Sequence, residues 1–386
     1  MDNQNSSNRR NFLVKSAVAS TGLIFGGALL STSCNSSDKK SERIATTSTN
    51  KSDKEMKTHN RPTRKLGNLE VSAQGLGCMG MTYHRSFIPN KKDMIALLRK
   101  APYLGMNFYD TAEAYGPLTN EVLVGEAVQP FRKEIILATK FGFKDGVPKA
   151  GLDSRPERIR QVVETSLKNL RTDYIDLLYQ HRVDPNVPME DVAGTVKDLI
   201  QEGKVLHFGM SEASVESIKK AHAVQPVTAV QSEYSLMTRE REKDVIQLCE
   251  ELGIGFVAYS PISRGLITGY INERTKYNPD NDNRQDLPRY QADNIITNWK
   301  LIDTLKAFGD QRGLTVAQVA IAWLMAQKPF IVPIPGTTKL AHLQENLWAS
   351  NYQFDNQELT ELTTELNKIE IVGDRYTGLM KSQTGK

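Results

Sequence analysis

The chain is poor in cysteine, nearly balanced in charge and free of any long uninterrupted apolar run. Its three cysteines, Cys34, Cys78 and Cys249, lie far apart and form no CxxC pair. That excludes a disulfide framework and the usual zinc spacings. Six histidines are scattered without an HExxH pair, so no metal site is expected. The formal net charge is only +4 over 386 residues, and no basic stripe is interleaved with aromatics. Nothing therefore favours a nucleic-acid partner. What is present is ordinary globular composition, 39% hydrophobic and 24% charged, which supports a sizeable core.

The first sixty residues read as targeting and tether rather than fold. Asn8-Arg9-Arg10-Asn11-Phe12-Leu13-Val14-Lys15 is a twin-arginine pattern, and a moderately apolar run rich in Ala, Gly and Ser follows over 16–30. The run is too short and too Gly-rich for a membrane span. A charged start, apolar middle and small-residue end describe an export signal over 1–34 of the twin-arginine (Tat) kind, which carries folded proteins. The alternative is a chance Arg-Arg before a weak apolar segment. Leu30-Ser31-Thr32-Ser33-Cys34 resembles a lipoprotein box, although Leu stands four residues before the Cys instead of three. Ordinary cleavage near Ser31 to Ser33 is the other outcome. The expectation is an exported, periplasmic protein whose only membrane contact is a lipid on Cys34. Residues 35–60 are Ser, Thr, Lys and Asp with few apolar side chains, so they cannot bury enough surface to order and read as a disordered tether.

From Arg61 to the end the pattern is that of one domain. Two short apolar stretches around Gly67-Asn68 predict a hairpin. Eight short apolar runs then recur, over 75–80, 107–111, 134–140, 174–181, 205–211, 229–234, 255–260 and 330–336. Between them lie amphipathic stretches of helical length, such as 92–101 and 158–170, with apolar residues spaced by three and four. Fully apolar strands alternating with helices imply an α/β protein with a parallel sheet covered by helices. Eight units suit a closed (β/α)8 TIM barrel. An open doubly wound sheet is the runner-up, but no G-x-G-x-x-G follows the first run. The segment 278–284, rich in Asn and Asp, reads as a mobile loop before the last strand.

In a barrel the chemistry sits at the carboxyl ends of the strands. The second run ends with Asp110 and Thr111 and leads to Tyr115, the third ends at Lys140, and the fourth ends at His181. An Asp and a Lys ending adjacent apolar strands are costly unless they pair. A paired Lys beside a Tyr lowers the phenol's pKa, because a cation favours the anionic form. Such a phenol can act as a general acid, and His181 can bond the same substrate oxygen. Singly, each residue is as well explained as a satisfied ion pair or a structural histidine. Together, at consecutive strand ends, they form a constellation for protonating a carbonyl as hydride arrives.

The stretch Gly105-Met106-Asn107-Phe108-Tyr109-Asp110-Thr111-Ala112-Glu113-Ala114-Tyr115-Gly116 resembles the aldo-keto reductase signature. Ala138-Thr139-Lys140 and Tyr179-Gln180-His181 resemble that family's lysine and histidine motifs, and the resemblance runs from about Arg61 to the end. It implies that Tyr115 donates the proton, Lys140 tunes it, Asp110 holds Lys140 and His181 orients the carbonyl. It further implies an NADPH/NADP cofactor, with Ser211 and Gln231 on the nicotinamide carboxamide and Tyr259 stacked on the ring. Ser260 and Arg264 would lie near the pyrophosphate. Glu212 departs from the Asn common at its position and points to one of the family's bacterial branches. Gly336 and Thr337 precede a helix whose N-terminus can receive an anion. Lys339 can add charge for a 2′-phosphate, with Asn346 farther along. The usual arginine there is replaced by His342, which is only partly charged near pH 7. A simple helix cap by Thr337 or Thr338 is the alternative.

Two functions fit this reading. One is reduction of a small carbonyl substrate, or alcohol oxidation in reverse. The other is a cofactor-sensing subunit on the same fold, since fold alone does not decide activity. A lyase using Lys140 as a Schiff base is a third, weakened by the Asp110 partner. Tyr83, His84 and the loop over 284–290 are expected to line the substrate pocket, and Cys78 is expected in the core.

Overall fold

A computed structural model describes residues 62–385, apart from 84 and 117. The export segment, Cys34, the tether and His84 therefore lie outside the described residues. The chain opens with an antiparallel hairpin, β1 (Thr63–Leu66) and β2 (Leu69–Ser72). Gly67, at φ +57°, supplies the left-handed turn between them. Eight parallel strands follow in chain order: β3 (Gly75–Gly77), β4 (Phe108–Asp110), β5 (Ile136–Phe141), β6 (Ile175–Gln180), β7 (Val205–Ser211), β8 (Val227–Glu233), β9 (Gly255–Tyr259) and β10 (Ile331–Pro333). Each pairs with its sequence neighbour, and a parallel bridge from Gly77 to Gly336 closes the ring between first and last. A Cβ on Gly336 would stand 2.8 Å from the Gly77 carbonyl oxygen, so only glycine lets the seam shut.

Helices fill the crossovers: α1 (Lys91–Lys100), α2 (Asn120–Val128), α3 (Pro156–Leu170), α4 (Met189–Gln201), α5 (Val215–Val224) and α6 (Val245–Leu252). After β9 come α7 (Ala292–Asp310) and α8 (Val316–Gln327), and after β10 come α9 (Leu340–Trp348), α10 (Asn356–Asn367) and α11 (Gly378–Ser382). Local chemistry sets their ends. Pro156 starts α3, where a missing N–H costs nothing, and Arg171 ends it at φ +54°. Its Ile159, Val162, Val163 and Leu170 face the sheet, each contributing roughly 1.5–3 kcal/mol of gross burial. The helices expected at 92–101 and 158–170 are α1 and α3. The first and last strands are shorter than the apolar runs: after Gly77 the chain turns into a 3-10 turn at Met79–Met81, and after Pro333 it leaves the sheet toward Gly336.

The hairpin shuts the amino end of the barrel. Leu66, Leu69 and Val71 join the interior cluster with Phe108, Leu177 and Val332. The Arg64 guanidinium donates to the carbonyls of Met325, Lys328 and Ile331 at 2.7–2.8 Å, which ties β1 to the approach into β10. One end is thus an apolar floor, and the open carboxyl end is left for polar groups. Over that end, the loop expected to be mobile is tied down. Asp282 is buried, accepts from Ser86 at 2.5 Å and pairs with Arg284 at 2.6 Å, while Asn278 donates to the Ser86 carbonyl at 2.9 Å. Cys78 lies fully buried in the core, where burial pushes its thiol up. Among the described residues no helix is long and apolar enough to cross a membrane.

Candidate active site

Parallel pairing brings the ends of β4, β5, β6 and β7 side by side, so residues 30 to 70 apart in sequence become neighbours. Lys140 is fully buried. Its ammonium donates to Asp110 Oδ1 at 2.5 Å, to the Thr111 carbonyl at 2.8 Å and to the Tyr115 hydroxyl at 3.2 Å. All three donors are used, which is what a desolvated ammonium requires. The other Asp110 oxygen accepts from Gln231 Nε2 at 2.7 Å, so the carboxylate is also satisfied. His181 packs edge-on against Tyr115 at 5.8 Å and Phe143 at 4.9 Å between centroids. Its Nδ1 is buried without a partner.

The electrostatics differ in one respect from the sequence expectation. The phenol of Tyr115 is held above its ordinary value, not below it. Burial raises it most; Lys140 pulls it down, but Asp110 pushes it up again. Seen from the phenol, the Lys140–Asp110 pair is nearly neutral, so the cation alone is a poor guide. For Lys140, burial works downward, and Asp110 and Tyr115 outweigh it to give a net rise. Burial, Arg182 and Lys140 together hold His181 well below the usual imidazole value, so it is neutral near pH 7.

Tyr115, Asp110 and His181 line a cavity of about 1290 Å³ at the carboxyl end of the barrel. So do Ser211, Gln231, Tyr259, Ser260 and Arg264, and on the far side Gly336, Thr337, Lys339, His342 and Asn346. Lys140 stands just behind this wall, touching it through Tyr115. Tyr83 and Arg284 also line it, whereas Tyr290 turns inward to donate to the Ser263 carbonyl at 2.6 Å.

Several side chains are engaged otherwise than expected. Ser211 Oγ accepts from Arg182 at 3.2 Å, and the Gln231 amide is given to Asp110. The Arg264 guanidinium bonds Glu233 and the Tyr376 hydroxyl, each at 2.8 Å. The Tyr259 hydroxyl bonds Glu212 and the Tyr376 hydroxyl, each at 2.8 Å, leaving its ring on the cavity wall. Glu212 is fully buried at φ +54°, accepts from Arg375 at 2.7 Å and from Arg241 at 3.4 Å, and is drawn to about 2 by Arg375 and Arg182 against the opposing effect of burial. Arg182, Glu233, Arg375 and Tyr376 thus belong to the site, and sequence reading missed them. Arg182 had a signal, a charge directly after His181. Arg375 and Tyr376 follow the α10 helix and carry none.

The cavity's chemistry fits a dinucleotide. Its volume exceeds that of a drug-sized pocket. The α9 helix opens without a side-chain cap, leaving its first N–H groups for an anion, and Thr337 Oγ accepts from the Lys339 amide at 3.1 Å and donates to the Lys339 carbonyl at 3.3 Å. Lys339 and His342 stand at the same end.

Comparison with known proteins shows the family and agrees with the barrel fold. The Aldo/keto reductase family profile matches residues 75–366. The chain is 41% identical over 317 residues to "Probable aldo-keto reductase 1" of Glycine max, covering 81% of this chain and 91% of that one. Among solved structures, it resembles the glycerol dehydrogenase AKR11B4 from Gluconobacter oxydans with a TM-score of 0.73 and 27% identity, over 82% of this chain and 98% of that one. It also resembles the thermostable aldo-keto reductase Tm1743 in complex with the inhibitor epalrestat, with a TM-score of 0.65 and 27% identity, over 79% and 99% of the two chains.

Proposed function

This chain belongs to the aldo-keto reductase family, and we propose that it reduces an aldehyde or ketone with NADPH as reductant and Tyr115 as proton donor. The observation that carries the reading is a single ammonium, Lys140, bonded at once to Asp110 and to Tyr115 at the edge of the cavity that His181 lines. Ser211, Gln231 and Tyr259 would hold the nicotinamide end, and Lys339, His342 and Asn346 the adenosine end. When bound, the cofactor supplies the hydride. Tyr115 keeps its proton through neutral pH, because its pKa is raised, and delivers it to the carbonyl oxygen. Lys140 stabilises the phenolate left behind at 3.2 Å, and Asp110 keeps that ammonium charged and in place. Neutral His181 orients the carbonyl without competing for the proton. Lys339 beside the uncapped α9 terminus is the support for a 2′-phosphate, and so for NADPH over NADH.

The test is NADPH absorbance decay with a panel of aldehydes, ketones and quinones. Turnover is expected, and Tyr115→Phe should lower kcat on the order of 10²–10⁴-fold while NADPH binding persists. Binding of NADPH without decay for any carbonyl would make the chain a sensing subunit instead, and a Tyr115→Phe variant as fast as wild type would remove the proton donor.

A further inference from the structure

The charges buried around the cavity do not cancel, and the surplus sits next to the reacting groups. Glu212 is held by Arg375 and Arg241 at 2.7 and 3.4 Å, and Glu233 by Arg264 at 2.8 Å with Arg375 at 3.9 Å. Arg182 is left over. Among the described residues no carboxylate lies within 4 Å of it. Its NH1 donates to two neutral oxygens, the His181 carbonyl at 2.6 Å and Ser211 Oγ at 3.2 Å. Glu212 attracts it from farther off but already carries two guanidiniums. Arg182 is half-buried and lines the cavity. Its surroundings keep the guanidinium charged on balance against the effect of burial, and with no carboxylate in direct contact its fork is free to match one from a ligand.

Its place says which anion. Arg182 directly follows His181, and consecutive Cα atoms lie about 3.8 Å apart, so the anion site and the carbonyl-oxygen site are neighbours. Its charge bears on both Tyr115 and His181. Of the cofactor's phosphates, the 2′-phosphate is assigned to Lys339 and the α9 terminus and the pyrophosphate to the neighbourhood of Ser260 and Arg264, and the Arg264 guanidinium is already bonded to Glu233 and Tyr376. The same cavity has apolar lining: Phe143 packs against His181, and Tyr83, Phe87 and Pro148 also line it, with Phe87 exposed.

We propose that Arg182 recognises the substrate, and that the preferred substrates are 2-oxo acids with an apolar or aromatic body. This rests on the reductase reading above. The carboxylate meets Arg182 while the adjacent carbonyl meets Tyr115 and His181. The carbonyl carbon takes the hydride, the C=O electron pair moves to oxygen, and that oxygen takes the Tyr115 proton. The product is the 2-hydroxy acid, its carboxylate unchanged, and NADPH becomes NADP+.

The experiment compares phenylglyoxylate with its neutral methyl ester in the wild type, Arg182→Met and Arg182→Lys. The wild type should favour the acid in kcat/KM. Arg182→Met should lower the acid-to-ester ratio about ten- to a hundredfold, mostly through KM for the acid, and Arg182→Lys should restore part of it. Calorimetric titration of phenylglyoxylate into NADP+-loaded protein should lose its binding signal in Arg182→Met but keep part of it in Arg182→Lys. A wild type that prefers the ester overturns the inference. So does an Arg182→Met variant that raises KM for NADPH, or for acid and ester alike, since Arg182 would then serve the cofactor or the fold. If the ester and simple aldehydes are reduced and the acid is not, this inference fails alone; if no carbonyl is reduced, the reductase reading fails with it.

Discussion

Two buried charge clusters share the mouth of the barrel, and they are built in opposite ways. The first, Asp110, Lys140, Gln231 and Tyr115, is compact: one cation and one carboxylate at 2.5 Å, with the remaining donors and acceptors satisfied by Thr111, Tyr115 and Gln231. The second, Glu212 and Glu233 with Arg241, Arg264 and Arg375, spreads over the residue after β7, the end of β8, the turn between β8 and α6, the loop after β9 and the segment past α10, and shares each carboxylate among several partners. The compact pair places a proton donor. The distributed network fixes Tyr259 through its hydroxyl and draws the end of the chain onto the cavity wall. Concentrated charge is specific but brittle; distributed charge tolerates loss because each anion keeps a second cation.

That contrast is open to measurement. The largest effect is expected at Lys140. Lys140→Met leaves Asp110 desolvated with Gln231 as its remaining side-chain partner, and should cost about 3–5 kcal/mol of unfolding free energy, read by urea denaturation. A loss under 1 kcal/mol would show that the pair is not brittle.

Next comes a pH effect behind the same cluster. Glu113 is buried beside Arg158 at 2.8 Å, yet burial raises its carboxyl to about 7 from 4.5. The folded protein therefore holds more protons than the unfolded chain between those values. Stability should fall as pH climbs from about 4.5 to 7, by roughly 3 kcal/mol in all, with the loss complete above the folded value. Thermal melts from pH 5 to 8 should show this slope, and Glu113→Gln should flatten it; an identical slope in the variant would assign the effect elsewhere.

The smallest effect is expected in the distributed network. Arg375→Met leaves Glu212 with Arg241 and the Tyr259 hydroxyl, and Glu233 with Arg264. Its cost should be about 1–3 kcal/mol, below that of Lys140→Met under the same conditions. Equal costs would erase the distinction between the clusters.

How far each cluster was readable in the chain follows from its construction. Asp110, Lys140 and His181 each close an apolar run, so the alternation of strand and helix, together with the rule that barrel chemistry sits at strand ends, was enough to bring them together. Glu212 and Arg264 were visible too, but their partners were not. Arg375 lies 163 positions from Glu212, beyond the last long helix, and no period or motif links the two. The Tyr115 phenol shows the same limit within the compact cluster. Its neighbours were foreseen, but the sign of its shift was not, because burial and the Asp110 charge add to more than Lys140 subtracts.

The sequence alone determined the eight-unit barrel, the hairpin at its start and the strand-end residues that face one cavity, because these depend on periodicity and chain order. It is also the sole basis for the export signal and lipid anchor expected before residue 61. Tertiary structure decided which charges pair, which remains unmatched at Arg182, and where the chain's end comes to rest. Those outcomes depend on distances between side chains far apart in sequence and on how completely water is excluded from them, and neither quantity is written in local pattern.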